Sequence, residues 1–390
     1  MKLEYSERMN KLPPYLFLEI DRKKKEAIKK GIKIIDFGVG DPDLPTPGYI
    51  RDKMKQAVDD PENHRYPFGE GLIEFRKAIA RWYKYRFNVE LNPENEIHSL
   101  IGSKEGLAHL PLAFVNPGDR VLCPEPGYPV YNTGTIIAGG RPFFMPLVEK
   151  YRFLPNLEAI PPEVARNAVL MFINYPNNPT GACADRAFFE DVVAFAKKYN
   201  IIVAHDAAYS ELYYNEKNKP LSFLEIPGAK DIGIEFHSLS KTYNMTGWRI
   251  GWVCGNPEII KGLSKVKANI DSGAFNVIQL AAAEALDGSH KYTDEIRSIF
   301  KERRDILVNG LNELKWGVCV PPEASFYLWV KVPQKYTSVT CATKLLDEAG
   351  IIASPGNGFG PSGEGYIRFS LTVNEELIEE ALDRMNRIEW

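Results

Sequence analysis

Cysteine and histidine are scarce in this chain of 390 residues. The five cysteines lie far apart in the sequence. Even the closest two, Cys319 and Cys341, are too far apart for a Cys-x-x-Cys motif or for the spacing of zinc ligands. The six histidines are scattered as well. We therefore expect no metal site, and the odd number of cysteines predicts free thiols in a reducing cytoplasm. The cysteines are Cys123, Cys183, Cys254, Cys319 and Cys341.

Long apolar runs and a charge excess are also missing. The longest apolar run, Ala168–Ile173, is too short to cross a bilayer, and the polar N-terminus does not have the apolar stretch of a signal peptide. The 48 basic residues nearly balance the 51 acidic ones, which argues against a polybasic nucleic-acid binder and an acidic tail. The sequence predicts a soluble cytoplasmic protein that binds neither membrane nor nucleic acid.

The middle of the chain alternates short apolar strands with helical segments. Because several strands are apolar almost throughout, they are expected to be covered on both faces. Leu72–Phe87 and Asp185–Tyr199 have apolar residues at three- and four-residue spacing, with Asp185 as the expected N-cap. This alternation predicts an α/β domain with a mainly parallel sheet. The predicted strands are 120–123, 168–173, 201–204, 233–236 and 249–254.

From about Ser289 the pattern changes to a smaller α+β domain. A charged helix over about His290 to Leu314 precedes a strand at 325–330, a helix at 341–349, a strand at 366–371 and a final helix from about Asn374. The length also favours about two domains. No internal repeat is visible.

Two local patterns suggest nucleotide or nucleic-acid binding only superficially. The basic run Arg22–Lys25 has acidic neighbours in an amphipathic helix, so a solvated helix face is the better interpretation. Gly358–Gly363 matches the dinucleotide fingerprint, but a strand follows it where the fingerprint requires a helix. We expect a flexible loop there.

Lys241 is the first residue with a chemical signature. It lies in Ser238-Leu-Ser-Lys-Thr242, directly after an apolar strand, and Arg249 follows eight residues later. Hydroxyls and an arginine can hold a phosphate, and a lysine amine can form a Schiff base with a carbonyl cofactor. A lysine beside a phosphate cradle is what pyridoxal phosphate requires. A solvated surface lysine is the alternative when the motif is taken alone.

Three further segments follow strands or open a helix. Asp206, at the end of a strand, could pair with a protonated pyridine nitrogen, or it could simply cap a helix. Asn178, in Asn-Asn-Pro-Thr-Gly181, could bond the cofactor's phenolic oxygen or belong to an ordinary turn. Ser103, at a small-residue turn before a helix, could bind phosphate or serve only as a cap.

Together these motifs, in this order along essentially the whole chain, resemble the fold type I, class I/II pyridoxal-phosphate aminotransferases. The resemblance implies a Schiff base at Lys241, which would also shuttle a proton. It implies pyridine pairing by Asp206, phenolic-oxygen contacts from Tyr209 and Asn178, and ring stacking by Tyr128. It implies a phosphate site formed by Ser103, Lys104, Ser238 and Arg249. It also implies a substrate site formed by Tyr15, Gly40, Asn178 and Arg368.

The resemblance also implies assembly and domain division. Tyr66 matches the tyrosine that reaches the neighbouring subunit's phosphate, which implies a homodimer with shared sites. The implied division is a large cofactor domain at 46–289, with a small domain made from 1–45 and 290–390. Within the family, segments 12–20, 38–46 and 102–109 most resemble LL-diaminopimelate aminotransferases, which act in lysine biosynthesis with 2-oxoglutarate.

The far end of the substrate is a hypothesis of its own. In the plant-type enzymes a glutamate beside the Tyr66 motif helps to choose the substrate, and here Gly69 and Glu70 stand near that place. We expect Glu70 or Asp271 to meet a distal ammonium across the dimer interface. The alternatives are an aminotransferase for aspartate, alanine or aromatic amino acids, a carbon–sulfur β-lyase, and a non-catalytic protein on the same fold.

Overall fold

The computed structural model describes residues 3–288, 291–314, 316 and 319–390. The helices are α1 (Glu7–Asn10), α2 (Leu16–Lys29), α3 (Gly48–Val58), α4 (Ile73–Phe87), α5 (Ser103–Phe114), α6 (Val130–Ile137), α7 (Pro162–Arg166), α8 (Arg186–Tyr199), α9 (Ala229–Ile232), α10 (Leu239–Thr242), α11 (Pro257–Ile270), α12 (Asn276–Asp287), α13 (Lys291–Glu313), α14 (Ser338–Ala349) and α15 (Glu375–Met385). The strands are β1 (Ile35–Asp36), β2 (Ile97–Leu100), β3 (Arg120–Glu125), β4 (Arg141–Pro146), β5 (Ala168–Asn174), β6 (Ile202–Asp206), β7 (Gly233–Ser238), β8 (Gly251–Gly255), β9 (Tyr327–Lys331), β10 (Ile351–Ile352), β11 (Ser354–Pro355) and β12 (Tyr366–Ser370).

A seven-stranded sheet in the order β2-β8-β7-β6-β5-β3-β4 forms the centre of the molecule. Strands β3 to β7 pair in parallel, and β8 runs antiparallel to both of its neighbours. Alternate residues of β3 enter different cores: Val121 packs into one and Leu122 into the other. Both faces of the sheet are therefore covered, and the predicted α/β class and mainly parallel sheet are confirmed.

The two amphipathic helices form where their periodicity predicts them. Helix α4 begins at Ile73, and α8 begins at Arg186 after Asp185, whose side chain accepts a hydrogen bond from the Phe188 amide at 3.0 Å. Asn200 ends α8 in the left-handed conformation. These ends show that local capping chemistry sets the limits of α8.

Two predicted strands begin later than expected because of backbone conformation. Arg249 has φ 54° and Ser325 has φ 64°, so neither is extended, and β8 and β9 begin two residues further on. Helix α14 begins earlier, at Ser338, because Thr337 forms a capping box with Thr340. The predicted start of α13 at His290 lies outside the described residues.

The remaining strands form a second layer with its own core. Strands β11, β12 and β9 make an antiparallel sheet, and β1 pairs in parallel with β10. Residues of β1, α13, β9, α14, β12 and α15 share one apolar cluster. The β1–β10 pair joins the N-terminal segment to the C-terminal third of the chain. The predicted domain boundary between residues 289 and 290 falls on residues that the structure does not describe.

The two rejected patterns have ordinary surroundings. Arg22 and Lys25 form ion pairs with Glu26 and Asp21 on α2, and Lys24 pairs with Asp36. The segment predicted as a flexible loop, 358–363, forms parts of two short 3₁₀ turns that lead to β12. Among the described helices, none is both long enough and apolar enough to span a membrane.

Candidate active site

A cavity of about 320 Å³ lies where β5, β6 and β7 end. These strands end at Asn174, Asp206 and Ser238, and all three residues line the cavity. Because parallel strands end at the same edge of the sheet, residues that are distant in sequence converge there. The strand-end motifs singled out in the sequence therefore share one site.

Lys241 lies at the base of this cavity on the short helix α10. Its Nζ donates a hydrogen bond to the Gly40 carbonyl at 2.6 Å and lies 5.5 Å from the centre of the Phe326 ring. Burial, together with the nearby charges of Arg368 and Arg249, lowers the pKa of Lys241 to about 8, and Asp41 opposes this shift. The half-buried side chain and its hydrogen bond inside the site argue against a solvated surface lysine, and the lowered pKa makes the amine a usable nucleophile and base near neutral pH.

Asp206 is a buried acceptor with unused capacity. Its Oδ2 accepts a hydrogen bond from Tyr131 at 2.8 Å, whereas its Oδ1 has no hydrogen-bond partner within the described part of the chain. Burial raises the pKa of Asp206, and the Tyr131 hydroxyl opposes that rise. A turn rather than a helix follows β6, so the alternative of a helix cap is wrong.

An anion cradle occupies one end of the cavity. Ser103 opens α5, Ser238 ends β7, and both line the cavity with Ser240, Lys104 and Arg249. Gly102 has φ 74°, and a Cβ at that position would lie 2.5 Å from the guanidinium of Arg249. Glycine therefore lets this arginine approach the N-terminus of α5. Hydroxyls, helix amides and a guanidinium together suit a phosphate dianion.

Arg368 lies fully buried beside the cavity. Its Nη1 donates to Asn178 Oδ1 at 2.8 Å and its Nη2 donates to the Gly38 carbonyl at 2.7 Å. The guanidinium also stacks 4.2 Å from the Tyr327 ring centre. Burial lowers the pKa of Arg368. The structure thus brings two predicted substrate residues, Arg368 and Asn178, into direct contact.

The other predicted side chains divide into two groups. Tyr15, Gly40, Lys104, Tyr128 and Tyr209 line the cavity, and Lys104 Nζ donates to the Tyr15 hydroxyl at 3.0 Å. Tyr66, Glu70 and Asp271 are not among its lining residues.

The three residues outside the cavity have different surroundings. The Tyr66 side chain is exposed and packs on Phe68, with ring centres 5.4 Å apart. Ser264 donates to Glu70 at 3.4 Å, and Asp271 forms an ion pair with Lys267 at 3.1 Å. In a single chain these residues are not in place to touch a substrate.

Sequence reasoning missed three residues that organise the site. Tyr131 donates to Asp206, and the available signal was a second tyrosine three residues after Tyr128, which itself precedes α6. Asn174 donates to the Asp206 carbonyl at 2.7 Å and accepts from the Asn178 amide at 2.8 Å. The Tyr327 hydroxyl bonds that of Tyr209 at 3.0 Å, a contact that no local pattern indicates.

The donor set fits pyridoxal phosphate. Asp206 offers an orphaned buried oxygen to a protonated ring nitrogen, Lys241 offers an amine, and the cradle around Arg249 offers donors to a phosphate. The cavity also contains Tyr128 and Tyr209, an aromatic ring and a phenol for a planar cofactor.

One group of possible metal ligands lies elsewhere among the described residues. Glu105, His109 and Asp271 place one ligand atom each within 4.8 Å of one another. The Lys267 ammonium bonds both carboxylates and supplies the compensating positive charge. The cluster is better explained as an ion-pair network than as a metal site.

Comparison with known proteins agrees with this geometry. Residues 32–385 match the sequence model of the family described as aminotransferase class I and II. The chain is 55% identical to LL-diaminopimelate aminotransferase from Syntrophobacter fumaroxidans, over 99% of both chains. It is 53% identical to that of Moorella thermoacetica, over 99% of this chain and 98% of the relative. BacF from Bacillus subtilis, in its apo structure, superimposes with a TM-score of 0.95 at 38% identity, covering 99% of this chain and 98% of that one.

Proposed function

This chain belongs to the class I and II aminotransferases, which use pyridoxal phosphate, and we propose that it transfers the amino group of LL-diaminopimelate to 2-oxoglutarate in lysine biosynthesis. The identity of 53–55% to two LL-diaminopimelate aminotransferases along nearly the whole chain carries the choice of substrate. A single mutant of the aspartate aminotransferase of Thermus thermophilus shares the fold at only 27% identity, with a TM-score of 0.92 over 99% of this chain and all of that one.

The residues that line the cavity, with Arg368 buried beside it, have separate roles. Bound pyridoxal phosphate supplies an aldehyde that bonds amines and a protonated ring that withdraws electrons from the substrate's α-carbon. Lys241 holds the cofactor and then carries a proton at Nζ to and from the α-carbon. Asp206 keeps a proton on the ring nitrogen, and Arg368 grips the α-carboxylate with two N–H groups. Tyr209 and Asn178 orient the phenolic oxygen.

We also propose a homodimer with shared sites and a cytoplasmic location. The exposed rings of Tyr66 and Phe68 lie beside each other on one surface, where a second copy of the chain would cover them and receive the Tyr66 hydroxyl at its phosphate cradle. The division into a large domain at 46–289 and a small one from both ends remains a prediction. The cysteines are all free thiols, which supports a reducing compartment.

A panel of amino donors tests the substrate. We expect LL-diaminopimelate to give the highest kcat/KM with 2-oxoglutarate, ahead of aspartate, alanine and aromatic amino acids. Omitting the 2-oxo acid should stop turnover after one half-reaction, whereas a β-lyase would continue. A higher kcat/KM for any monoamino donor would contradict the proposed substrate.

Glu70→Gln and Asp271→Asn test the distal contact. If either carboxylate of the partner meets the distal ammonium, its variant loses activity with LL-diaminopimelate more than with a monoamino donor, since only the first has that ammonium. Because Asp271 pairs with Lys267, we expect the selective loss at Glu70. Glu74→Gln, at the exposed second residue of α4, is the matched control. Equal losses on both substrates would rule out the contact.

A further inference from the structure

A buried carboxylate lies behind the sheet, on the side away from the cavity. Glu235 in β7 is fully buried, and its two oxygens are approached by five groups. Oε1 accepts from the Tyr83 hydroxyl at 2.7 Å, from the Ser222 hydroxyl at 2.8 Å and from His237 Nε2 at 2.9 Å. Oε2 accepts from the Phe223 amide at 2.8 Å and from His205 Nδ1 at 2.7 Å.

These neighbours favour an ionised carboxylate. The Phe223 amide can only donate, and the Ser222 hydroxyl already accepts from the Leu224 amide at 3.1 Å, which leaves its proton for Glu235. The hydrogen bonds from His205 and His237 hold the pKa of Glu235 well below its usual range in spite of its burial. A fully buried anion needs a cation close by.

His205 is the group placed to carry that positive charge. Its Nδ1 faces Glu235 Oε2, and its Nε2 faces the Tyr175 carbonyl at 3.0 Å. When Glu235 is ionised both partners are acceptors, so this geometry places a proton on each ring nitrogen and makes the ring an imidazolium. His237 differs, because its Nδ1 faces the Ser210 hydroxyl at 3.5 Å, which can donate or accept.

The other ionisable groups around the carboxylate do not take over this role. Tyr83 on α4 and Cys254 on β8 have pKa values raised by burial, so both stay neutral. Glu225 accepts from the Ser222 amide and adds negative charge nearby. Arg86 is committed to an ion pair with Glu211 at 2.8 Å.

The chain connects this layer to the cavity. His205 directly precedes Asp206 in β6, and His237 directly precedes Ser238 in β7. Side chains alternate along a strand, so each histidine projects behind the sheet while the next residue faces the cavity. His205 and Glu235 are register partners, and His237 stacks on Trp252 with ring centres 5.0 Å apart. A positive charge on His205 opposes the rise that burial causes in the pKa of Asp206.

We propose that Glu235 is a positioning residue, whose carboxylate holds His205 as an imidazolium behind Asp206 and so stabilises the ionised carboxylate that pairs with the cofactor's ring nitrogen. The proposal rests on the role given above to Asp206. It does not depend on which amino acid is the donor, since the layer lies behind the sheet.

Ring-nitrogen NMR of the full-length protein, labelled with ¹⁵N-histidine, tests the charge directly. We expect the His205 signals, assigned with His205→Gln, to show an imidazolium with both nitrogens protonated at neutral pH, with and without pyridoxal phosphate. Glu235→Gln should convert the His205 signals to those of a neutral ring. Glu225→Gln, the matched control at a carboxylate that also bonds Ser222, should leave the His205 signals unchanged. A neutral His205 in the unaltered protein would overturn the proposal.

A double-mutant cycle on the dissociation constant of pyridoxal phosphate tests the link to Asp206. His205→Gln combined with Glu235→Gln replaces the ion pair by two amides and keeps the layer neutral. We expect the double variant to weaken cofactor binding about tenfold, the equivalent of one pKa unit. The same two substitutions should have little effect on binding in a protein that already carries Asp206→Asn. Equal weakening in both backgrounds would mean that the layer acts only on general stability. Because no amino donor is present, failure of the substrate proposal leaves these results unaffected.

Discussion

At the scale of single residues, the behaviour of this site depends on one buried amine. Lys241 is enclosed by Gly40, Phe326 and the two arginines that lower its pKa, while Asp41 opposes them. Burial does most of this, since fewer water molecules can stabilise the ammonium than at an exposed site. The lysine is therefore a nucleophile at a pH where an exposed lysine is almost wholly protonated.

The loading of cofactor-free protein should follow this pKa. Only the neutral amine can bond the aldehyde, so the rate at which added pyridoxal phosphate becomes covalently attached should rise with pH and level off above about 8. Stopped-flow absorbance from pH 6 to pH 10 measures that rate. Lys241→Ala should abolish the attachment and nearly all activity. A profile that still rises towards pH 10 would show an ordinary lysine.

Arg368→Lys separates shape from charge at the carboxylate site. Lysine keeps the charge but not the planar pair of N–H groups, and the loss of one charge-assisted hydrogen bond is worth roughly 1.5–3 kcal/mol. We therefore expect kcat/KM to fall about 10- to 150-fold, with cofactor affinity retained. Arg384→Lys, which affects an ion pair with Glu380 on α15, is the control. Equal falls in both variants would remove the special role of Arg368.

At the scale of elements, most boundaries follow from local chemistry. Asp185 and Asn374 cap their helices as their side chains predict, and Thr337 forms a box that extends α14 backwards. The late starts of β8 and β9 come from Arg249 and Ser325, whose positive φ depends on their tertiary surroundings. Periodicity finds the middle of an element and capping residues find its ends, but a non-glycine left-handed residue leaves no local signal.

Asp185→Ala should lower the free energy of unfolding by about 1 kcal/mol, because the Phe188 amide loses its acceptor at the N-terminus of α8. The exposed ion pair with Arg152 should add little. Denaturant unfolding measures the difference, and Glu190→Ala on the exposed face of the same helix is the control. A loss no larger than the control's would mean that the cap contributes nothing.

At the scale of the whole molecule, a shared site makes a prediction about mixtures. If Tyr66 serves the neighbouring subunit, then Lys241→Ala and Tyr66→Ala chains that are separately impaired should restore activity together, because one site of each mixed dimer is intact. Random pairing would give about a quarter of the unaltered activity. Kinetics after mixing and refolding the two variants measures this. If the mixture is no more active than the separate variants, Tyr66 acts in the active site of its own chain or in no active site.

The local sequence by itself determined much of the chemistry. Lys241, Asp206, Asn178 and Ser238 all stand at or just after apolar strands, and parallel strands end at one edge, so their meeting in one cavity follows from the pattern. The helices and the sheet class follow from periodicity for the same reason: side chains three, four or two residues apart share a face.

Only the tertiary structure decided which of these residues touch. Arg368 reaches Asn178 across 190 positions, Tyr131 reaches Asp206 across 75, and Asp271 is held by Lys267 rather than directed towards the cavity. The layer of Glu235 with His205 and His237 was likewise invisible, because its members look like isolated polar residues in apolar strands. Strand order and register set such contacts, and they depend on the packing of the whole chain rather than on any local pattern.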